Sequence, residues 1–475
     1  MTPKLSVTLG TRWEYVPFLR REGRGLERYD PDTNTMLICG VGKVPDGCGV
    51  QISRKMFAPR VGVAYRFNDG IVIRAGFGIT NDPYLETQAL RANYPVLIPL
   101  VITAPNSLQS AGTLATGLPA VVSPDISSGM VSVPSNIAIA TVAKNLTRGY
   151  IESFNFTIQS KLKFGFTGQG AYVGTRQVHQ FGFLDLNAGQ VIGAGQAGET
   201  LFQKFGRTAQ TIEVQHPYGN SQYNALQTTL RRRFSHGLQL DVAYTWSKAI
   251  GTNDNSEDTP KVQALAYLSM NRTLTGFDRA HALHVTSVWE LPFGKNGAWL
   301  RSGFAGKVLG GWQANNLLSL MTGTPFSVSA DGTSLNLPGS TQRADQVKAN
   351  VEILGGIGAN AAFFDPLAFA SVTTARFGTA GYRSLRAPGV GNWDFSLFRQ
   401  FDITERFKLQ FRAEALNFSN TPHFAAPGSN VSNLLKNADG SVRSLNGFST
   451  VTSTISLARE GLDARQFRFG LRVSF

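Results

Sequence analysis

The last residues, 465–475, constrain the fold more than any other stretch. Phe467, Phe469, Leu471, Val473 and Phe475 take alternate positions, with Arg468, Gly470, Arg472 and Ser474 between them. Successive side chains of a strand point to opposite faces, so this segment reads as a strand with one apolar and one charged face. The edge of a soluble sheet can alternate in the same way. Two arginines on the wet face and an unblocked aromatic end favour a strand standing between an apolar solvent and an enclosed aqueous one.

The alternation recurs along the chain. Val61, Val63, Tyr65 and Phe67 lead into the turn Asn68-Asp69-Gly70, and Ile71, Ile73, Ala75, Phe77 and Ile79 lead out of it, with Arg60, Arg66 and Arg74 on the other face. A turn of that composition between alternating flanks is a strong hairpin signal. Further pairs fall at 149–162 with 166–176, 222–234 with 238–247, 279–291 with 311–328, and 392–401 with 406–418. With the opening segment 4–16 and the terminal strand, the chain holds about twelve strands of roughly ten to fourteen residues, near the length a tilted strand needs to cross a bilayer.

The connections alternate between short turns and long stretches. A membrane barrel has short periplasmic turns and long extracellular loops, whereas nothing in a soluble sandwich enforces such alternation. Trp13, Tyr15, Trp246, Trp289, Trp312 and Trp393 lie near strand ends, as an interfacial girdle requires. The stretches 17–56 and 81–148 show no sustained periodicity and read as loops. The expected fold is therefore all-β, a transmembrane antiparallel barrel domain over 1–475, with the terminal residue on the short-turn side.

Composition narrows the alternatives. Crossing helices need roughly 20 consecutive apolar residues; the longest candidate, 94–105, is broken by Pro95, Pro99 and Pro105. The net charge of +14 is spread one or two residues per strand rather than gathered into a patch, so no nucleic-acid partner is expected. The densest run, Arg231-Arg232-Arg233, reads as an interfacial anchor beside a turn. Two cysteines, Cys39 and Cys48, share one Gly-rich loop; their spacing leaves both a disulfide and free thiols open. No secretory signal opens the chain, and Leu5, Val7 and Leu9 already alternate, so a mature or truncated chain is expected.

Signs of catalysis are weak. His281 and His284 are three apart on a strand and point to opposite faces, which prevents them from sharing one ion. The other histidines lie in loops and turns, and no nucleophile-elbow, zinc-protease or phosphate-loop motif occurs. Asp254, Glu257 and Asp258 cluster in a loop and read as solvated. No enzyme, cofactor or metal is expected.

The segments Phe57-Ala58-Pro59-Arg60-Val61-Gly62-Val63-Ala64-Tyr65, Arg74-Ala75-Gly76-Phe77-Gly78-Ile79, Tyr244-Thr245-Trp246-Ser247-Lys248-Ala249, Glu290-Leu291-Pro292-Phe293-Gly294 and Arg412-Ala413-Glu414-Ala415-Leu416-Asn417-Phe418-Ser419-Asn420 resemble the carboxyl-terminal barrel of Oar-like TonB-dependent receptors. The resemblance spans nearly the whole chain and implies the later part of a barrel of about 22 strands. Signal, TonB box, plug and early strands have no counterpart here, though twelve strands could also close alone.

The resemblance further implies energised uptake of a scarce solute, small molecule or peptide, with TonB acting through a plug. Arg60, Arg66, Arg74, Lys408, Arg412, Glu414, Arg468 and Arg472 are expected to line the lumen, where pairing across neighbouring strands is the more ordinary use of such charges. By the same analogy the terminal strand, Phe467 to Phe475, is the signal read by the outer-membrane assembly machinery. Outer-membrane lipid and lipopolysaccharide are the surrounding partners. The rival class is a surface or adhesion barrel that binds partners through its loops without transport.

Overall fold

The computed structural model describes residues 4–18, 20, 21, 24–82, 93–100, 102–209, 211–255, 258–295, 297–455 and 464–475. Among the described residues the main sheet has 14 strands, and twelve of them follow one another across it in chain order. They are β1 (Leu5–Glu14), β2 (Met56–Arg66), β3 (Ile71–Asn81), β4 (Tyr150–Lys161), β5 (Phe166–Asp185), β6 (Ile212–Ser235), β7 (Leu238–Gly251), β8 (His281–Glu290), β9 (Trp312–Met321), β10 (Val390–Asp402), β11 (Lys408–Leu416) and β12 (Gln466–Ser474). Each pairs antiparallel with its neighbour in this series. The pairing path ends at β1 on one side and β12 on the other, so the twelve strands are left open rather than closed on themselves.

The registers carry one face through the whole sheet. Val61 opposes Phe77, Phe77 opposes Phe154, Leu226 opposes Trp246, Val242 opposes Val285, Val285 opposes Leu318, and Ala413 opposes Phe469. Because side chains alternate strictly, this succession fixes the opposite face as the polar one. The apolar face is widely accessible, with Phe469 at 72% and Leu9 at 74% exposure. An apolar surface of this extent is stable only against lipid or a partner. Among the described residues no helix is long and apolar enough to cross a membrane.

Both ends of the sheet obey the predicted sidedness. Tight turns follow β2, β4, β6 and β10 at one rim, and Leu5 opposes Tyr65 and Ser474 opposes Lys408 at that same rim. The first turn is held by Asn68, whose Oδ1 accepts the backbone N–H groups of Gly70 and Ile71, both at 2.8 Å.

Two expectations are corrected here. The strands are not uniformly ten to fourteen residues: β5 has 20 and β6 has 24. At roughly 3.3 Å per residue these run far beyond a hydrocarbon layer. The long stretches are not structureless either. Strands 27–30, 35–38 and 130–132 form a three-stranded sheet, and 139–142 pairs in parallel with the outer end of β6. Tyr29, Met36, Ile38, Val131 and Ile212 make one core of this cap, and Phe363, Phe364, Phe369 and Phe448 make another. Residues 83–92, inside one predicted loop, lie outside the described residues.

In the cap, Cys39 and Cys48 are disulfide-bonded with Cα atoms 4.9 Å apart. They pack with Val44 and Leu37, which ties the 39–48 loop against the small sheet.

Candidate functional site

All eight charged residues expected in the lumen sit on the polar face, but in two groups. Arg60, Arg66 and Arg74 lie on β2 and β3 near one edge, and Lys408, Arg412, Glu414, Arg468 and Arg472 on β11 and β12 at the other. Arg74 Nη1 donates to Gln159 Oε1 of β4 at 2.7 Å. Arg412 Nε donates to Gln410 Oε1 at 2.8 Å, and its guanidinium lies 4.9 Å from the centroid of the Phe398 ring. Glu414 stands directly opposite Arg468, with Arg412 opposite Gly470 and Gln410 opposite Arg472.

Of the second group, Glu414 and Arg468 border a cleft of about 700 Å³ on the sheet, lined also by Asp394, Ser396, Asn315 and Thr286 among others, whereas Lys408, Arg412 and Arg472 do not reach it. Asp394 Oδ1 accepts from Asn392 Nδ2 at 3.1 Å and from the Asn417 backbone N–H at 2.9 Å, which fixes its carboxylate at the cleft. Asn315 Nδ2 donates to Ser396 Oγ at 3.2 Å. Asp394, Asn315 and Ser396 were not among the residues expected in the lumen. Their signal was their place at the polar positions of β9 and β10.

The arginine run divides between the faces. Arg231 points to the polar side and pairs with Asp241 at 2.7 Å, contrary to its reading as an interfacial anchor. Arg232 points to the apolar side, where it lies 5.6 Å from the Phe166 ring centroid and donates to the Ser235 carbonyl at 3.2 Å. The Arg231–Asp241 pair is largely solvated, so Asp241→Asn is expected to lower unfolding stability by no more than about 1 kcal/mol in a urea titration.

His281 and His284 do fall on opposite faces: one ring meets the Tyr244 hydroxyl at 2.8 Å, the other the Ser319 hydroxyl at 3.0 Å. Among the described residues no group of three or more His, Cys, Asp or Glu side chains is placed to hold a metal ion. Asp254 is not a solvated loop acid. Arg383 grips it with both terminal nitrogens, at 2.6 and 2.8 Å, and the Gly276 N–H adds a bond at 3.0 Å. Asp258 Oδ2 accepts the Asp254 N–H at 3.0 Å, and Glu257 lies outside the described residues.

Electrostatics in the cap follow from local bonding. Hydrogen bonds from Arg376 hold the Asp345 carboxyl below its usual range. Burial pushes the Tyr382 hydroxyl up to about 12, although the Arg343 guanidinium nearby acts in the opposite sense.

The terminal strand presents Phe467, Phe469, Leu471 and Val473 on the apolar face, and Phe475 follows at the tight-turn rim with its ring 6.2 Å from that of Phe407. A family model described as "Outer membrane beta barrel domain" matches residues 1–467. The chain belongs to the outer membrane beta barrel domain family.

This outer membrane barrel is similar to solved structures of outer membrane transporters and siderophore receptors. The outer membrane transporter YddB of Escherichia coli is 10% identical, with a TM-score of 0.45, over 93% of this chain and 43% of that one. The ferripyoverdine receptor of Pseudomonas aeruginosa is 9% identical, with a TM-score of 0.39, over 93% and 35%. The siderophore receptor PiuA of Acinetobacter baumannii is 8% identical, with a TM-score of 0.40, over 100% and 41%. The barrel chain thus spans less than half the length of these structures. No curated protein matches it. Its cellular place is the outer membrane.

Proposed function

We propose that this barrel chain supplies wall and outward cap to a TonB-dependent uptake receptor, as the later part of a barrel of about 22 strands. The cap captures a solute, and the polar face lines the path that a plug opens when TonB pulls on it. The observation that carries this reading is the continuous polar face: every wall strand turns hydrogen-bonding or charged side chains to one side, beneath a cap with its own apolar cores. A barrel serving adhesion alone has no need of a polar-lined interior as wide as this sheet implies. In the same reading β12 carries the assembly signal, and Arg60, Arg66, Arg74, Arg468 and Arg472 face the plug or lumen water.

The test compares cells with and without the protein by profiling which solutes disappear from the medium. Uptake that stops on adding a proton uncoupler is the expected result. Solute or partner binding at the surface, with no uncoupler-sensitive accumulation of any solute, would favour the adhesion class instead.

A further inference from the structure

The cap holds a second cleft, of about 660 Å³, distinct from the one on the polar face of the sheet. It is built on strand 27–30. Tyr29 turns into the cap core at 1% exposure, and alternation sends Arg28 and Asp30 the other way, into the cleft. Arg28 is only 8% exposed and its Nε has no partner; among the described residues its side chain makes no hydrogen bond or ion pair. A buried guanidinium is ordinarily satisfied by a carboxylate, so this one stands out.

The acids at the same cleft are already engaged. Asp30 Oδ2 accepts the Thr33 hydroxyl at 2.9 Å, and Asp32 Oδ1 accepts Lys204 Nζ at 3.4 Å. Burial lowers the Arg28 pKa while Asp30 and Asp32 oppose that shift; a guanidinium keeps its charge regardless. Two more cations line the cleft, Lys43 on the disulfide-closed loop and Lys144 just after strand 139–142. Leu37, Val44, Val142 and Val214 supply apolar wall. The volume falls in the range of sites for small organic molecules, roughly 300–1,000 Å³.

We propose that this cleft binds the oxyanion group, carboxylate or phosphate, of a small solute, with Arg28 as its anchor. The assignment rests on the uptake reading for its biological role, since it names the chemistry of what the cap captures. It is tested by binding alone, so failure of transport and failure of this site are separate results.

The full chain, folded in detergent, is titrated calorimetrically with inorganic phosphate in one arm and succinate in the other. Saturable binding in at least one arm is expected, and the tighter arm identifies the group. Arg28→Gln is expected to weaken it about tenfold or more, because a charge-assisted bond is lost. Lys43→Glu, at an exposed lysine, is expected to weaken it about threefold or more. Heat-modifiable migration reports whether each variant has folded. The proposal is overturned if neither probe saturates by roughly 10 mM, tenfold above a weak dissociation constant of about 1 mM. It is equally overturned if folded Arg28→Gln binds as the parent does. Should Arg28→Gln not fold, Lys43→Glu decides: weaker binding supports the site, and unchanged binding removes it.

Discussion

Replacing Val285 by arginine is expected to destabilise the barrel by about 2–4 kcal/mol, the cost of a cation at the lipid face near mid-membrane. Val285 is mid-strand in β8 and its apolar register continues through Val242 on one side and Leu318 on the other. The next residue, Thr286, points the opposite way and borders the polar cleft. Thr286→Arg should therefore change stability by less than about 1 kcal/mol, as surface substitutions away from packed features do. Urea unfolding from lipid vesicles, followed by heat-modifiable migration, measures both. Equal effects of the two substitutions would mean that the assignment of faces is wrong.

Replacing Arg386 by methionine is expected to cost about 3 kcal/mol in the cap while leaving the wall intact. The Asp278 side chain is 1% exposed and takes Arg386 Nη2 at 2.5 Å and the Ala249 N–H at 2.6 Å. Arg386 also donates to the Gly323 carbonyl at 3.1 Å, so it fastens the base of the 323–389 cap segment to the loop between β7 and β8. Removing one member of a buried pair leaves an uncompensated charge, which is worse than never having had the pair. At 1.4 kcal/mol per factor of ten, that corresponds to roughly a hundredfold faster amide exchange at Phe326, Leu385 and Arg386. Adding Asp278→Asn should recover part of the loss, because no buried carboxylate then lacks its cation. An additive double variant would show that the two side chains do not act as a pair.

The wall was legible in the sequence because a strand between two solvents must alternate; β12 does so without interruption, and β2, β3 and β7 do so apart from Met56, Val72 and Lys248. The outer end of β6 was not. Residues 212–215 are covered on one edge by 139–142 and on the other by β5, and Ile212 and Val214 are buried together with Gln215, so no two-solvent pattern survives there. The cap core around Phe364 is built by irregular backbone, which has no period to detect.

The polar site was half legible. Charged residues could be assigned to a face by parity, yet neighbours across strands depend on register. A register shift between Arg232 and Ser235 brings Arg231 opposite Asp241, where regular pairing outward from Ser235 and Leu238 would have placed it opposite Val242. No count of residues along the chain reveals such a shift. Asp394 and Asn315 were overlooked for the same reason, since each is unremarkable until its neighbour on the adjoining strand is known.

The open pairing path has an arithmetic consequence. β1 climbs from the tight-turn rim toward the cap, whereas β12 descends from the cap to that rim, so the two border strands run in opposite directions. Backbone groups at both borders need partners within lipid, where water cannot supply them. Any antiparallel insertion that satisfies both borders at once must hold an even number of strands. A complete ring that includes these twelve is therefore even, whatever its size.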